Sequence, residues 1–232
     1  MLIIGHRGAA GLAPENTIDA MAAGVAAGAD MLELDVRLTR DGVPVVAHDN
    51  RLLRTHHRNE SISHLTYTEL QALTSEQPVS SLAAVLDRFL GVVILNIELK
   101  GHGSAEPTYQ LLTRSITSPD DWDNVLLSSF SVRELRQFRQ LAPQANLALL
   151  HRNNPFAFLA YQRKLDFTAV GFHRLYAHPL AIEIARRSNL FAYVYTVNRP
   201  GALQQLAERG IDGVVTNYPD KFLAELRRYS EQ

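Results

Sequence analysis

Five side chains in the first 100 residues carry reactive groups where apolar, strand-like runs come to an end. They are His6 after Leu2-Ile3-Ile4-Gly5, Glu33 and Asp35 in Leu32-Glu33-Leu34-Asp35-Val36, His48 after Val45-Val46-Ala47, and Glu98 in Leu95-Asn96-Ile97-Glu98-Leu99. Burying an unpaired charge is costly, so carboxylates set repeatedly into apolar strands imply a positive partner. Glu33 and Asp35 are two apart and share one side of a strand, and Glu98 and Lys100 repeat that spacing. Carboxylates without thiols make a hard oxygen site, suited to Mg²⁺ or Ca²⁺ rather than zinc. With no cation present, two carboxylates ~4 Å apart at an effective dielectric near 20 repel by about 4 kcal/mol. Imidazole titrates near working pH, so His6 and His48 brought to these carboxylates would form an acid/base pair. Arg7 and Lys100 add fixed donors for an anion. Together with a divalent metal, the set sums to about +1, matching one phosphodiester charge. The competing reading is structural: the carboxylates pair with Arg7, Arg37 or Lys100 as rim salt bridges.

Positioning these groups requires several strands ending at one place. Short apolar runs at 2–5, 31–37, 44–47, 92–99, 125–129, 147–150, 168–172, 191–197 and 212–216 alternate with amphipathic helical patterns. Ser131-x-x-Glu134 predicts a capping box opening a helix over 132–141. Pro179, Pro200 and Pro219 predict first helical residues, the helix after Pro200 stopping at Gly210 and the last reaching about Tyr229. Strand–helix alternation implies parallel strands with helices outside. Eight such units fit an α/β fold of the (β/α)8 TIM-barrel type, in which the carboxyl ends of the strands form the catalytic mouth. A doubly wound open sheet is the rival. One link breaks the alternation. Too few residues separate 31–37 from 44–47 for a crossover helix, and Asp41-Gly42 signals a hairpin there. A two-residue turn pairs residues whose numbers sum to 83, setting Asp35 opposite His48. A slip of one still returns His48 to the end of that strand.

The 232 residues, 46% hydrophobic and 20% charged, read as a single barrel domain over 1–232. Residues 50–80 form a loose, polar rim with one helix signal, Thr66 to about Leu73. A net charge of −1 with scattered Lys and Arg gives no footprint for nucleic acid. No run approaches the ~20 apolar residues of a membrane span, and the start is too short for a secretory signal, so a cytoplasmic location is expected. The absence of cysteine excludes disulfides, thiolate chemistry and Cys-ligated zinc. Ser128-Ser129 lacks a nucleophile-elbow context, which argues against a serine hydrolase.

An ordered set of segments resembles the glycerophosphodiester phosphodiesterase family. It comprises His6-Arg7-Gly8, Pro14-Glu15-Asn16-Thr17, Glu33-Leu34-Asp35-Val36, Asp41-Gly42-x-x-Val45-Val46-x-His48-Asp49 and Glu98-Leu99-Lys100. Ser129-Phe130, Thr196-Val197-Asn198 and Gly210-x-Asp212-Gly213-Val214-x-Thr216 extend the resemblance over nearly the whole chain. It implies a TIM-type barrel and metal-dependent hydrolysis of glycerophosphodiesters, small-molecule substrates, to sn-glycerol 3-phosphate and an alcohol. By the same resemblance Glu33, Asp35 and Glu98 correspond to metal ligands, and His6 and His48 to the acid/base pair. Arg7 and Lys100 correspond to phosphate contacts, and Glu15 and Asn16 belong to a loop that shapes the site. Tyr195 stands where the family often has Trp, among the substrate contacts on the alcohol side. Thr216-Asn217 replaces a frequent Thr-Asp, Val79-Ser80-Ser81-Leu82-Ala83 replaces a Pro-Thr-Leu-Glu pattern, and 50–80 reads as a reduced insertion. The alternatives are a phospholipase-like activity on lysolipids, which calls for an apolar rim, and a barrel that binds phosphodiesters without turnover.

Overall fold

The computed structural model describes residues 1–230. In chain order the strands are β1 (Leu2–Gly5), β2 (Met31–Leu38), β3 (Pro44–Val46), β4 (Ile94–Leu99), β5 (Val125–Ser129), β6 (Asn146–Leu150), β7 (Ala169–His173), β8 (Phe191–Tyr195) and β9 (Gly213–Thr216). The helices are α1 (Ile18–Ala27), α2 (Leu53–His56), α3 (Tyr67–Leu73), α4 (Leu82–Phe89), α5 (Ala105–Ser115), α6 (Val132–Leu141), α7 (Leu159–Leu165), α8 (Pro179–Arg187), α9 (Leu203–Glu208) and α10 (Pro219–Ser230). Every expected strand is present, with ends moved by at most two residues.

The sheet runs β1-β9-β8-β7-β6-β5-β4-β2 and closes because β2 also pairs with β1. All of these pairings are parallel. The fold is the TIM-type (β/α)8 barrel, and the open-sheet rival falls. Closure explains why both faces of most strands are apolar: one faces the helices and the other the barrel interior. Outside, α4 shows the logic. Leu82, Val85, Leu86 and Phe89 are buried at helical spacing, and the Ser81 side chain accepts from Ala84 N. Inside, Ile4, Met31, Leu126, Leu150, Tyr193 and Val215 pack across the barrel floor.

β3 is the antiparallel ninth strand. β1 ends alongside Leu32, which leaves the far end of β2 open on that edge, and β3 fills it. The pairs are Val36↔Val46, Arg37↔Val45 and Leu38↔Pro44, so paired numbers sum to 82 and not 83. Asp35 therefore pairs with Ala47, whose N–H donates to the Asp35 carbonyl at 2.9 Å, and His48 lies one residue further on. The cause is the turn. Thr39 N–H donates to Val43 O at 3.1 Å across a three-residue loop, with Gly42 in the left-handed region at φ 80°.

Two further expectations change. Ser131 caps α6 through Glu134 N, but the Glu134 carboxylate does not reach back to Ser131. It accepts instead from Gly103 N and Ala105 N, each at 3.0 Å, and so places negative charge at the start of α5. Residues 50–80 are also not loose. Leu52, Ile62, Leu70 and Val79 pack with Val45 into a separate small core, and α3 carries a complete Thr66–Glu69 capping box.

Candidate active site

Three carboxylates meet at the carboxyl end of the barrel because register sets them level. Asp35 on β2 pairs with Glu98 on β4, and Glu33 pairs with Asn96. All three acids are buried, and one oxygen from each lies within 4.8 Å of the others. Their charges are partly matched inside the protein. Lys100 Nζ sits 3.0 Å from Asp35 Oδ1 and 2.5 Å from Glu98 Oε1, and Arg7 Nε lies 3.4 Å from Asp35 Oδ2. The structural reading of these acids is thus realised for Arg7 and Lys100, whereas Arg37 donates to the His48 carbonyl at 2.7 Å. The match is incomplete. Burial, then the neighbouring charges of Asp35 and Glu98, raise Glu33 well above the carboxylate range. Burial and Asp35 push Glu98 up to about 7 despite Lys100. Burial alone would raise Asp35 too, but Lys100, Arg7, His48 and Asn16 together hold it below its ordinary value.

The histidines stand beside this cluster. His6 Nε2 lies 3.9 Å from Glu33 Oε2, while Nδ1 meets Asn217 Oδ1 at 2.6 Å. A carbonyl oxygen only accepts, so Nδ1 carries the proton and Nε2 presents its lone pair. Burial, then Arg7, lowers His6 to about 4, so the ring is neutral at pH 7. His48 Nδ1 faces Asp49 Oδ1 at 2.7 Å. Burial lowers this ring as well, while the Asp35 charge works in the opposite direction.

The His6-Arg7-Gly8 turn is held by its backbone. His6 N donates to Thr216 O, Arg7 N to Glu33 Oε2 and Gly8 N to Glu33 O, at 2.8, 2.8 and 2.9 Å. Arg7 takes φ 53°, a conformation that needs such support in a non-glycine residue. Gly8, at φ 84°, lies flat on α1, where a Cβ would come 2.5 Å from the Ala20 carbonyl carbon. The next loop converges on the same acids. Asn16 clasps Asp35 twice, with Nδ2 donating to Oδ2 at 2.9 Å and Oδ1 accepting from Asp35 N at 3.2 Å. Glu15 binds Arg7 at 2.7 Å and both terminal nitrogens of Arg54, and Arg54 Nε reaches Asp49 at 2.6 Å. A chain of ion pairs thus ties the insertion to the loop around Asn16 and to His48.

Tyr195 lines a small cavity of about 40 Å³ together with His6, Glu33, Glu98, Asn96 and Tyr193. Its hydroxyl donates to the His151 carbonyl, and its ring meets Phe130 edge-on at 6.0 Å. A larger cavity of about 210 Å³, between the insertion and residues 14–17, reaches His48 but none of the three carboxylates. Every expected site residue is thus at this mouth. Asn96, Ser128, Asn217 and Phe130 belong to it too and were not foreseen. Asn96 lies two before Glu98 on the same strand face, which was a usable signal; Asn217 was marked only as a departure from Thr-Asp, with nothing to tie it to His6.

Residues 6–221 match the model of the glycerophosphoryl diester phosphodiesterase family. The chain is 36% identical over 241 residues to the Bacillus subtilis protein YhdW, covering 95% of this chain and 96% of the relative. It is 30% identical to the glycerophosphodiester phosphodiesterase of Bacillus altitudinis, over 94% of this chain and 95% of that protein. Among solved structures, a phosphodiesterase of Oleispira antarctica in complex with the product sn-glycerol-3-phosphate superposes with a TM-score of 0.87. That match has 23% identity and covers 98% of this chain and 97% of that one.

Proposed function

The chain belongs to the glycerophosphoryl diester phosphodiesterase family and is an enzyme of that activity; we propose that a divalent cation supports the hydrolysis and that the products are sn-glycerol 3-phosphate and an alcohol. The observation that carries this reading is the convergence of three buried carboxylate oxygens within 4.8 Å of one another, with His6 beside Glu33 and His48 within the field of Asp35. Burial and then neighbouring negative charge raise two of the three acids, and all donors are oxygen, which suits a hard cation, Mg²⁺ or Ca²⁺. Glu33, Asp35 and Glu98 would hold it. When bound, such an ion supplies positive charge to phosphoryl oxygens and acidifies a hydroxyl.

This chain's own residues divide the remaining work. His6, neutral and with Nε2 unprotonated, is the general base that takes the proton of the attacking hydroxyl. His48 is the general acid and acts from its imidazolium form, which the Asp35 charge and the Asp49 carboxylate favour. The P–O bond to the nucleophile forms, the P–O bond to the alcohol breaks, and His48 returns a proton to the departing oxygen. Arg7 and Lys100 add positive charge beside the phosphate. Glu15 and Asn16 fix Arg7 and Asp35, and Tyr195 borders the alcohol. The product bound in the Oleispira antarctica relative supports glycerol 3-phosphate as the released half.

We read 1–232 as one barrel domain with 50–80 as its reduced insertion. That insertion gives little support to a lysolipid substrate: Leu52 lies in the satellite core, Leu65 packs against it, and of the three leucines only Leu53 is exposed. No described helix is long and apolar enough to cross a membrane. The test uses purified, chelator-treated protein with Mg²⁺ or Ca²⁺ added back. Glycerol 3-phosphate should appear from glycerophosphocholine, glycerophosphoethanolamine or glycerophosphoglycerol only after metal addition. No release from any of them overturns the reaction; release that ignores chelation overturns the metal.

A further inference from the structure

One side of the mouth carries charges that this chemistry leaves unused. Residues 130–133, 151–158 and 173–179, which follow β5, β6 and β7, contain Arg133, Arg152 and Arg174 and no Asp or Glu. All three arginines are exposed. Arg133 Nη1 meets His102 Nε2 at 2.7 Å, and the Arg152 guanidinium lies 5.5 Å from the Phe130 ring centre. None of the three reaches a carboxylate among the described residues.

Their distance from the reaction is short. The Phe130 ring also takes Lys100 Nζ at 5.7 Å, and Lys100 touches Asp35 and Glu98. Arg152 is therefore separated from the carboxylate cluster by the Phe130 ring and Lys100. The backbone carbonyl of Tyr195, whose ring is edge-on to Phe130, accepts the Arg174 N–H at 2.9 Å, and the His173 ring meets the Tyr195 ring at 5.9 Å, so Arg174 starts the loop beside this ring pair. A cleft edge lined by one sign of charge concentrates ligands of the other sign. Guanidinium groups bind phosphate through paired, charge-assisted hydrogen bonds. On the opposite edge Arg7 and Arg54, the arginines beside the carboxylates and His48, are already engaged by Glu15, Asp35 and Asp49.

We infer that this enzyme prefers glycerophosphodiesters whose alcohol carries a further phosphate, received by Arg152 beside Phe130 with Arg174 on the adjoining loop. The inference rests on the hydrolytic reading of the adjoining carboxylate site. It disfavours cationic alcohols, which the same arginines repel.

A matched pair of substrates tests it: glycerophosphoinositol and glycerophosphoinositol 4-phosphate, which differ by one phosphate on the alcohol. Expected kcat/KM is about tenfold higher for the phosphorylated compound at low ionic strength, with the ratio shrinking as salt is raised. In an R152A/R174A variant the ratio collapses toward one, while the melting temperature shows that the barrel is intact. Glycerophosphocholine is cleaved no faster than glycerophosphoinositol. Equal rates on the matched pair, or a ratio unchanged in the variant, overturn the inference and leave the hydrolytic reading standing. Failure to cleave either compound while glycerophosphocholine is cleaved overturns the inference alone, and no glycerol 3-phosphate from any of these substrates overturns both. Binding of wild type, and not of R152A/R174A, to vesicles of phosphatidylserine and phosphatidylcholine, with no substrate preference, assigns the arginines to a lipid surface instead.

Discussion

On the side of the mouth built after β1, β2 and β3, Arg7, Arg54, Glu15, Asp35 and Asp49 neutralise one another across contacts of 2.6 to 3.4 Å. On the side built after β5, β6 and β7, Arg133, Arg152 and Arg174 meet no carboxylate among the described residues. Both sides are loops on the same strand ends, so the barrel does not impose the difference. Matched charge fixes geometry: each ion pair holds His48, Arg7 or Asp35 in one place. Unmatched charge is available to a ligand. The first side therefore behaves as machinery and the second as a selector.

The contrast is tested most sharply at the histidines. His6→Ala and His48→Ala should each lower kcat by roughly 10²–10⁴-fold with the fold retained. Steady-state rates within tenfold of wild type for either variant would remove that residue from the acid/base pair. The next effect concerns the uncompensated carboxylates. A carboxyl raised by folding contributes stability below its ordinary value of 4.5 and loses it as pH climbs, for Glu98 through about 7. His6, lowered to about 4 from 6.5, works the opposite way, adding stability as pH rises between those values and nothing more above them. In chelator the melting temperature should therefore fall by several degrees from pH 6.5 to 8, and Mg²⁺ or Ca²⁺ should abolish the fall. A flat curve in chelator would show that the acids are already compensated.

Asn217→Asp sets a carboxylate against His6 Nδ1 and favours the imidazolium. The acid limb of kcat/KM should move up by about one pH unit, because the base must lose its proton to act; an unmoved limb separates His6 from that limb. Arg54→Ala cuts the tie from the insertion to Glu15 and Asp49. Exposed pairs of this kind stabilise by only about 1 kcal/mol, so the melting temperature barely moves. A severalfold loss of kcat is expected as Asp49 and His48 lose their brace, and an unaltered kcat would break the view of this side as machinery. Arg133→Ala is the smallest change, within about 0.5 kcal/mol by urea unfolding. A larger loss would mean that this arginine, too, is structural.

Much of the fold was legible because a closed parallel barrel writes its period into the chain: apolar runs for strands buried on both faces, and prolines and capping serines for helices. The reactive residues were legible for a related reason. Glu33, Asp35 and Glu98 violate the apolar pattern of their strands, and a violation stands out. What failed to show depends on partners distant in sequence. Asp41-Gly42 suits either a two-residue turn or a three-residue loop with glycine last. The choice is reinforced by Asp41, which accepts from the Thr39 hydroxyl at 2.6 Å and from Tyr67 N at 3.0 Å. Glu134 looked like half of a local box, yet its carboxylate serves a helix that begins 29 residues earlier. Asn217 stands 211 positions from His6 and is an ordinary loop residue until the barrel closes. Of the selector side, only His173-Arg174, directly after the apolar run at 168–172, could be set at the mouth from sequence; Arg152 could not, because what matters is which ring it lies on.

Gly8 gives this division a consequence for how the protein can change. With its α-carbon pressed against the first helix, the turn carrying His6 and Arg7 admits no side chain at that position, and a library randomised there should return glycine alone. Arg152 and Arg174 are exposed and are under no such restriction. Substrate range can thus drift, or be steered in the laboratory, through positions that tolerate nearly any residue while the bond-breaking apparatus stays locked.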